Sequence, residues 1–290
     1  MNVVLVAPYF GGNMVHAVRC FLDLDGVRVG LITHESEERV PRDLRERISG
    51  HYRVTDAGSA EQLTAAAKAF QKDWGRVDRL EGYLEQLQVP IADARQAAGI
   101  DGLHGEAARN FRDKNRMKRV LREAGVDVAR QALITSPDQA RAFVAEVGFP
   151  IVVKPLDGAG AKNTVRVADE EELWTAMVRM MPTPANPVQA EEFVRGEEHT
   201  FENVFVEGKP VWRSSTYYLP GPLAVLENPW MQYCLLLPRE QNQAHVQSFA
   251  PTNEKALRAL GMRNGISHME WFLMKDGRAL VSEVGARPPG

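Results

Sequence analysis

Two glutamates thirteen residues apart, Glu270 and Glu283, flank the dipeptide Asp276-Gly277. The runs 266–274 and 278–284 on either side read as strands, and Asp-Gly between strands is a strong signal for a two-residue hairpin turn. A tight turn there sets Lys275 across from Arg278, and the same register sets Glu270 directly across from Glu283 with both carboxylates on one face. Opposed Cβ atoms in a sheet are about 4.5 to 5.5 Å apart, a spacing at which like charges repel, so a cation is needed between them. Mg²⁺ shared with phosphate oxygens suits such a pair, because hard cations prefer oxygen ligands. Two other readings stay open: carboxylates paired for acid–base work, and a solvent-facing pair tolerated at the surface. His268 falls across from Gly285 on that face, as a hydrogen-bonded structural residue or as a ligand. Arg287, two residues past Gly285, can set a fixed positive charge beside a developing oxyanion.

Upstream lie the matching cations. Lys154 ends the apolar run Ile151-Val-Val and precedes a small-residue loop containing Asp157, Gly158, Ala159, Gly160 and Ala161. Desolvating a lone ammonium costs several kcal/mol, so this lysine must be paired or must reach an anion. The loop leaves backbone N–H groups to wrap phosphate oxygens, although no Gly-Lys-Ser/Thr opens a helix as in a P-loop. A plain hairpin loop beside a snorkelling lysine is the alternative. Seven cations crowd residues 109–122, and most read as a solvated helix face; Lys114, at the edge of the apolar stripe Met117, Val120, Leu121 and Ala124, can point inward. The acidic segment Gln189 to Glu202 is either an ordinary strand and hairpin, or an extended stretch reading an adenine edge with a ribose-binding carboxylate seven residues on. Arg213 falls across from Glu202 if Glu207-Gly208 turns, either as an ion pair or as a trap for a substrate carboxylate.

The elements that must position these residues follow from periodicity. Residues 1–105 alternate short apolar strands (2–8, 27–33, 51–55) with helical stretches (to about 24, 60–74, 90–98), the pattern of βαβ units and a parallel sheet. The turn Gly11-Gly12-Asn13 after the first strand is a tight connection or a ligand loop; it does not match G-x-G-x-x-G. Asp113 can cap a helix that Gly125 ends. A second unit runs strand 131–135, helix 136–147, strand 150–154, strand 164–168 and helix 169–181, and the Pro-rich bridge 182–187 leads to a strand-rich remainder with one helix at 252–260. The aromatic, Pro-rich stretch 214–243 is a substrate-binding loop or a packing surface.

Composition bounds the rest. The 290 residues hold 35 Lys and Arg against 38 Asp and Glu, a net charge of −3, with 44% hydrophobic residues. Such a balance supplies no global attraction for nucleic acid or an anionic membrane. No apolar run approaches the ~20 residues that span a bilayer, and the N-terminus reads as a strand rather than a signal peptide. With only Cys20 and Cys234, neither a disulfide framework nor a cysteine-based zinc site is supported, and the expected location is the reducing cytoplasm.

Taken together, the segments from about 92 to 290 resemble the ATP-grasp superfamily, in particular its carboxylate-amine ligase-like members. Arg112-Asp-Lys-Asn-Arg-Met-Lys118 resembles the helix whose lysine, here Lys114, meets nucleotide phosphate; Val152-Val-Lys-Pro155 resembles the segment of the second phosphate lysine, here Lys154. The loop 157–163 corresponds to the one that closes over ATP. Glu191-Glu192-Phe193-Val194 resembles the hinge strand, in which Glu191 and Val194 meet adenine through their backbones, and Glu198 stands at the ribose position. Glu270 and Glu283 match the metal-binding acids and Arg287 the arginine that steadies the acyl phosphate or tetrahedral intermediate. Many members have Glu-x-Asn where this chain has Glu283-Val284-Gly285, so a third oxygen ligand is absent.

The resemblance implies an α/β chain, α+β in its ATP-binding part: a parallel-sheet pre-ATP-grasp domain over 1–105, a linker helix region over 106–125, a lid over 126–188 and a nucleotide-binding sheet over 189–290. It implies ATP and Mg²⁺, or Mn²⁺, as cofactors, small-molecule carboxylate and amine substrates, and release of ADP and phosphate. It further implies that the usual C-terminal portion is lacking after Gly290, as in a truncated product or a minimal form. A homo-oligomer is left open. The alternative is an ATP-binding regulatory or scaffold protein without turnover; a biotin-dependent carboxylase-like activity ranks lower, since no biotinyl-carrier segment is present.

Overall fold

The computed structural model describes residues 1–156, 164–228 and 230–289. The phosphate-loop residues Asp157, Gly158, Ala159, Gly160 and Ala161 therefore lie outside the described residues. The chain divides into two compact units, Met1–Arg112 with Arg263–Gly265, and Asp113–Met262 with Ile266–Gly290.

The first unit contains β1 (Asn2–Val6), α1 (Gly12–Leu22), β2 (Arg28–Thr33), α2 (Arg42–Arg45), β3 (Gly50–Arg53), α3 (Ala60–Trp74), β4 (Arg79–Glu81), α4 (Gln88–Ala98) and α5 (Gly105–Arg112). Its sheet is parallel, in the order β3-β2-β1-β4, the expected βαβ product. Successive side chains of a strand point to opposite faces. Val4 and Val6 accordingly join Leu63, Ala66 and Phe70 of α3 and Ile91 of α4 in one core, while Val3 and Leu5 join Met14 and Val18 of α1 in the other. Gly30 is required by packing: a Cβ there would stand 2.7 Å from the rings of both Phe70 and Trp74. The basic stretch is two helices rather than one, because Asp113 interrupts it and caps the second.

The second unit opens with α6 (Lys114–Glu123), whose N-cap Asp113 accepts from the Arg116 N–H at 2.9 Å. Next come β5 (Gln131–Ile134), α7 (Pro137–Val147), β6 (Ile151–Pro155), β7 (Val165–Val167), α8 (Glu170–Met180) and β8 (Val188–Glu192). Its small antiparallel sheet has the order β5-β8-β6-β7. One face is apolar: Ile151, Val153, Val188 and Ala190 pack on Phe143 of α7 and on Leu173 and Met177 of α8. Alternation then commits Gln189, Glu191 and Lys154 to the other face.

The last segment holds β9 (Gly196–Val206), β10 (Lys209–Leu219), α9 (Pro222–Glu227), β11 (Cys234–Leu236), α10 (Ala244–Leu260), β12 (Gly265–Met274) and β13 (Ala279–Gly285). They form an antiparallel sheet in the order β11-β10-β9-β12-β13. Its inner face is sealed by α10, where Phe249 stacks on Trp271 with ring centroids 4.0 Å apart. The helix starts eight residues before the expected Thr252 and runs through Pro251. A proline inside a helix removes one hydrogen bond; here the upstream turns bury Val246, Phe249 and Ala250, which offsets that loss. No helix among the described residues is long and apolar enough to cross a membrane, and both cysteines are free and exposed.

Candidate active site

The β12–β13 hairpin places Glu270 opposite Glu283 and His268 opposite Gly285, the expected partners, by a different route. The turn is not two residues long. Met274 pairs with Arg278 across a three-residue loop, Lys275 to Gly277, in which Gly277 takes φ +84°. That moves the register by one residue relative to the expected Lys275–Arg278 pairing, and a β-bulge moves it back: Trp271 pairs with Val281 while Glu270 pairs with Glu283, leaving Ser282 extra. Bulges of this kind re-aim side chains and are common beside active sites. Two offsets cancel, and both carboxylates stand on the face away from α10.

Cations already compensate them. Lys114, the first residue of α6 and 7% exposed, lies 2.8 Å from Glu283 Oε1 through its Nζ. His268 Nε2 lies 3.7 Å from Glu270 Oε1, and His268 Nδ1 hydrogen-bonds Glu202 Oε1 at 2.9 Å. Burial acts to lower the His268 pKa, but its hydrogen bond to Glu202 and the nearby Glu270 charge win and raise it to about 9. Burial acts to raise the Glu270 pKa, and His268, Lys154 and Arg287 bring it down instead. Arg287 lies just past β13, its Nη1 donating to the Pro288 carbonyl at 2.8 Å. Its side chain packs close over Gly285, where a Cβ would stand 3.3 Å from Arg287 Cγ. Among the described residues no group of three or more His, Cys, Asp or Glu converges as a metal cage. The opposed Glu270 and Glu283 offer oxygen donors of the kind a hard cation takes.

A second charge cluster lies on the polar face of the β5-β8-β6-β7 sheet. Glu191 on β8 is buried, and its Oε1 meets Lys118 Nζ at 2.5 Å and Lys154 Nζ at 2.9 Å while also accepting from Gln189 Nε2. Burial alone would raise the Glu191 pKa; the two ammonium groups hold it down at about 2. For Lys118, burial dominates and lowers the pKa to about 8 against the pull of Glu191. For Lys154, Glu191, Glu283 and Glu270 together overcome burial and raise it. Glu198, on β9, sits half-buried beneath Gly221, and burial together with the Glu270 charge raises its pKa to about 8.

Several placements differ from the sequence reading. Lys118 is not on a solvated helix face: it is 1% exposed. Its signal was its spacing, four residues after Lys114 and between Met117 and Leu121, which places it on the buried face. Glu191, assigned a backbone role, contributes its side chain as the shared counter-ion of two lysines. Glu192 points to the opposite face, where Arg130 Nε takes its carboxylate at 2.7 Å, so it is not brought to Lys154. Val194 follows the end of β8. Arg213 pairs with Asn203, not Glu202, because a bulge between Pro210 and Trp212 shifts the β9–β10 register; the guanidinium lies 4.0 Å from Glu254 instead. Glu202, absent from the sequence-derived site, belongs to it through His268. The stretch 214–243, read as irregular, contains α9 and β11.

Residues 112–216 match the family model described as phosphoribosylglycinamide synthetase, ATP-grasp (A) domain. Alanine–anticapsin ligase of Bacillus subtilis (strain 168) is 25% identical over 252 residues, covering 79% of this chain and 51% of that protein. Among solved structures, an L-amino acid ligase from Bacillus licheniformis superposes with a TM-score of 0.74 at 21% identity, over all of this chain and 67% of that one. N5-carboxyaminoimidazole synthetase from Staphylococcus aureus, complexed with ADP, gives 0.74 at 12% identity, over all of this chain and 71% of that one. The chain spans about half the length of the alanine–anticapsin ligases it matches. The domain model matched over residues 112–216 and the superposition on these structures give this chain an ATP-grasp fold.

Proposed function

We propose that this chain is the ATP-binding part of a ligase that activates a small-molecule carboxylate as an acyl phosphate and passes the acyl group to an amine, releasing ADP and phosphate. The observation that carries this reading is the clustering of Lys114, Lys118 and Lys154 against Glu283 and Glu191, with Glu270 directly opposite Glu283. Opposed acids beside clustered lysines suit a hard cation that polarises nucleotide phosphates for transfer.

Lys114 and Lys154 hold nucleotide phosphates, and Glu198 accepts from ribose hydroxyls. The hinge 191–194 receives the adenine, and the loop 157–161 covers the phosphates. Glu270 and Glu283 hold Mg²⁺, which neutralises phosphate charge when bound. A substrate carboxylate oxygen attacks the γ-phosphorus as the bond to ADP breaks. The acyl phosphate is then attacked by a neutral amine, phosphate leaves and the amine gives up a proton. Arg287 stabilises the oxyanion formed at the acyl carbon. The segment 126–188 acts as the lid.

The test is product analysis with a panel of carboxylates and amines. ADP and phosphate that appear only with carboxylate and Mg²⁺ present, and a hydroxamate trapped by hydroxylamine, are the expected results. AMP and pyrophosphate would overturn the reading, and tight ATP binding with no ADP across the panel would favour a scaffold.

A further inference from the structure

On the site face of the large sheet, four residues form a continuous chain. The Ser214 hydroxyl donates to Glu202 Oε2 at 3.1 Å, Glu202 Oε1 is bonded to His268 Nδ1 at 2.9 Å, and His268 Nε2 reaches Glu270 Oε1 at 3.7 Å. Glu202 and His268 are 4% and 8% exposed, whereas Glu270 is partly open. Three strands contribute: β10 supplies Ser214, β9 supplies Glu202, and β12 supplies both His268 and Glu270. A buried carboxylate without a partner would be costly, yet Glu202 spends both oxygens on neighbours within the sheet and none on the ligand space. Its bond through Nδ1 sets the ring plane of His268 and so the direction of Nε2. Nε2 in turn stands at ion-pair distance, 3.7 Å, from Oε1 of Glu270.

We infer that Glu202 and His268 are positioning residues for Glu270, fixing one oxygen of that carboxylate so that the other meets the metal–nucleotide at a set angle. Partners of this kind orient ligating side chains in many metal sites. The inference rests on the assignment of Glu270 as a metal ligand proposed above. It adds a role for two residues outside the ATP and metal contacts proposed above, and it explains a buried Glu–His pair in a sheet whose opposite face is apolar.

Mn²⁺ binding in the presence of ADP, measured for the unsubstituted chain and for His268→Asn, Glu202→Gln and Ser214→Ala, tests this. ADP binding in EDTA and the thermal midpoint are measured alongside. The expected result is Mn²⁺ affinity about 10- to 100-fold weaker in the first two variants, a smaller loss in Ser214→Ala, and metal-free ADP affinity within about twofold throughout. If His268→Asn does not fold, the other two variants still decide. Unchanged Mn²⁺ affinity in folded Glu202→Gln and His268→Asn overturns the positioning role, as does an equal loss of metal-free ADP binding, which would mark a merely structural part. Glu270→Gln separates the two levels. If it weakens Mn²⁺ binding while the His268 and Glu202 variants do not, only the positioning role falls; if it too has no effect, the metal assignment falls with it.

Discussion

Lys118 Nζ lies 2.5 Å from Glu191 Oε1, and both side chains are sealed from solvent at 1% and 8% exposure. The same oxygen is 2.9 Å from Lys154, so one carboxylate serves two cations. Removing the shared partner is therefore worse than removing either lysine. Glu191→Leu is expected to destabilise the unit by about 3 to 5 kcal/mol, the cost of stranding buried charge; Lys118→Met should cost less, since Lys154 still pairs with Glu191. Urea denaturation of the two variants measures the difference, and a larger loss in Lys118→Met would contradict the shared-partner geometry.

Two carboxylates should bend the stability–pH curve in opposite directions. Glu191 has its pKa lowered to about 2 from 4.5, so its contribution is complete above 4.5 and is lost as pH falls towards 2. Glu198 has its pKa raised to about 8 from 4.5, so the folded chain keeps a proton the unfolded chain releases, and stability declines as pH rises from 4.5 through 8. In Glu198→Gln the decline across that window should flatten, as read from thermal midpoints at half-unit pH steps. An unaltered slope would show that Glu198 is not the titrating group.

Glu283 carries the metal assignment together with Glu270. Glu283→Gln keeps the shape and a hydrogen-bond acceptor for Lys114 but removes the charge. Metal-dependent ADP formation is expected to fall at least about 100-fold with the circular dichroism spectrum unchanged. Full turnover in that variant would refute the role.

The Ser282 bulge makes a sharper prediction. Because Ser282 is the unpaired extra residue, deleting it regularises the ladder: Trp271 still pairs with Val281, and the next residue, Glu283, still stands across from Glu270 on the same face. Mn²⁺ binding in the presence of ADP should therefore survive the deletion. Lost binding would mean that the bulge itself, and not the pairing alone, aims Glu283.

Gly277, at φ +84°, closes the three-residue loop. Substituting alanine there forces a side chain into the left-handed region at a cost of about 1 kcal/mol. Denaturant midpoints should report that loss with metal affinity unchanged, since the bulge lies between the loop and the acids.

Much of this protein was legible along the chain. Alternation in β1 and the spacing of α3 announced a parallel α/β unit, because burial on one face imposes its own period on the residues. Asp113 announced a helix start because few side chains can satisfy free backbone N–H groups. Lys154 at the end of an apolar run declared a buried charge needing an anion. What the chain could not declare was which anion meets which cation. Lys118 and Glu191 are 73 residues apart, and their pairing depends on β8 lying beside β6 and on α6 docking nearby, neither of which leaves a local period. The same holds for the bulges at Ser282 and before Trp212: an extra residue in one strand is set by the hydrogen-bond ladder and packing of its neighbours, not by its own sequence. Glu270 faces Glu283 because two such offsets cancel, and Arg213 misses Glu202 because one does not. Residue types determined the chemistry at hand; tertiary registry alone decided which groups share it.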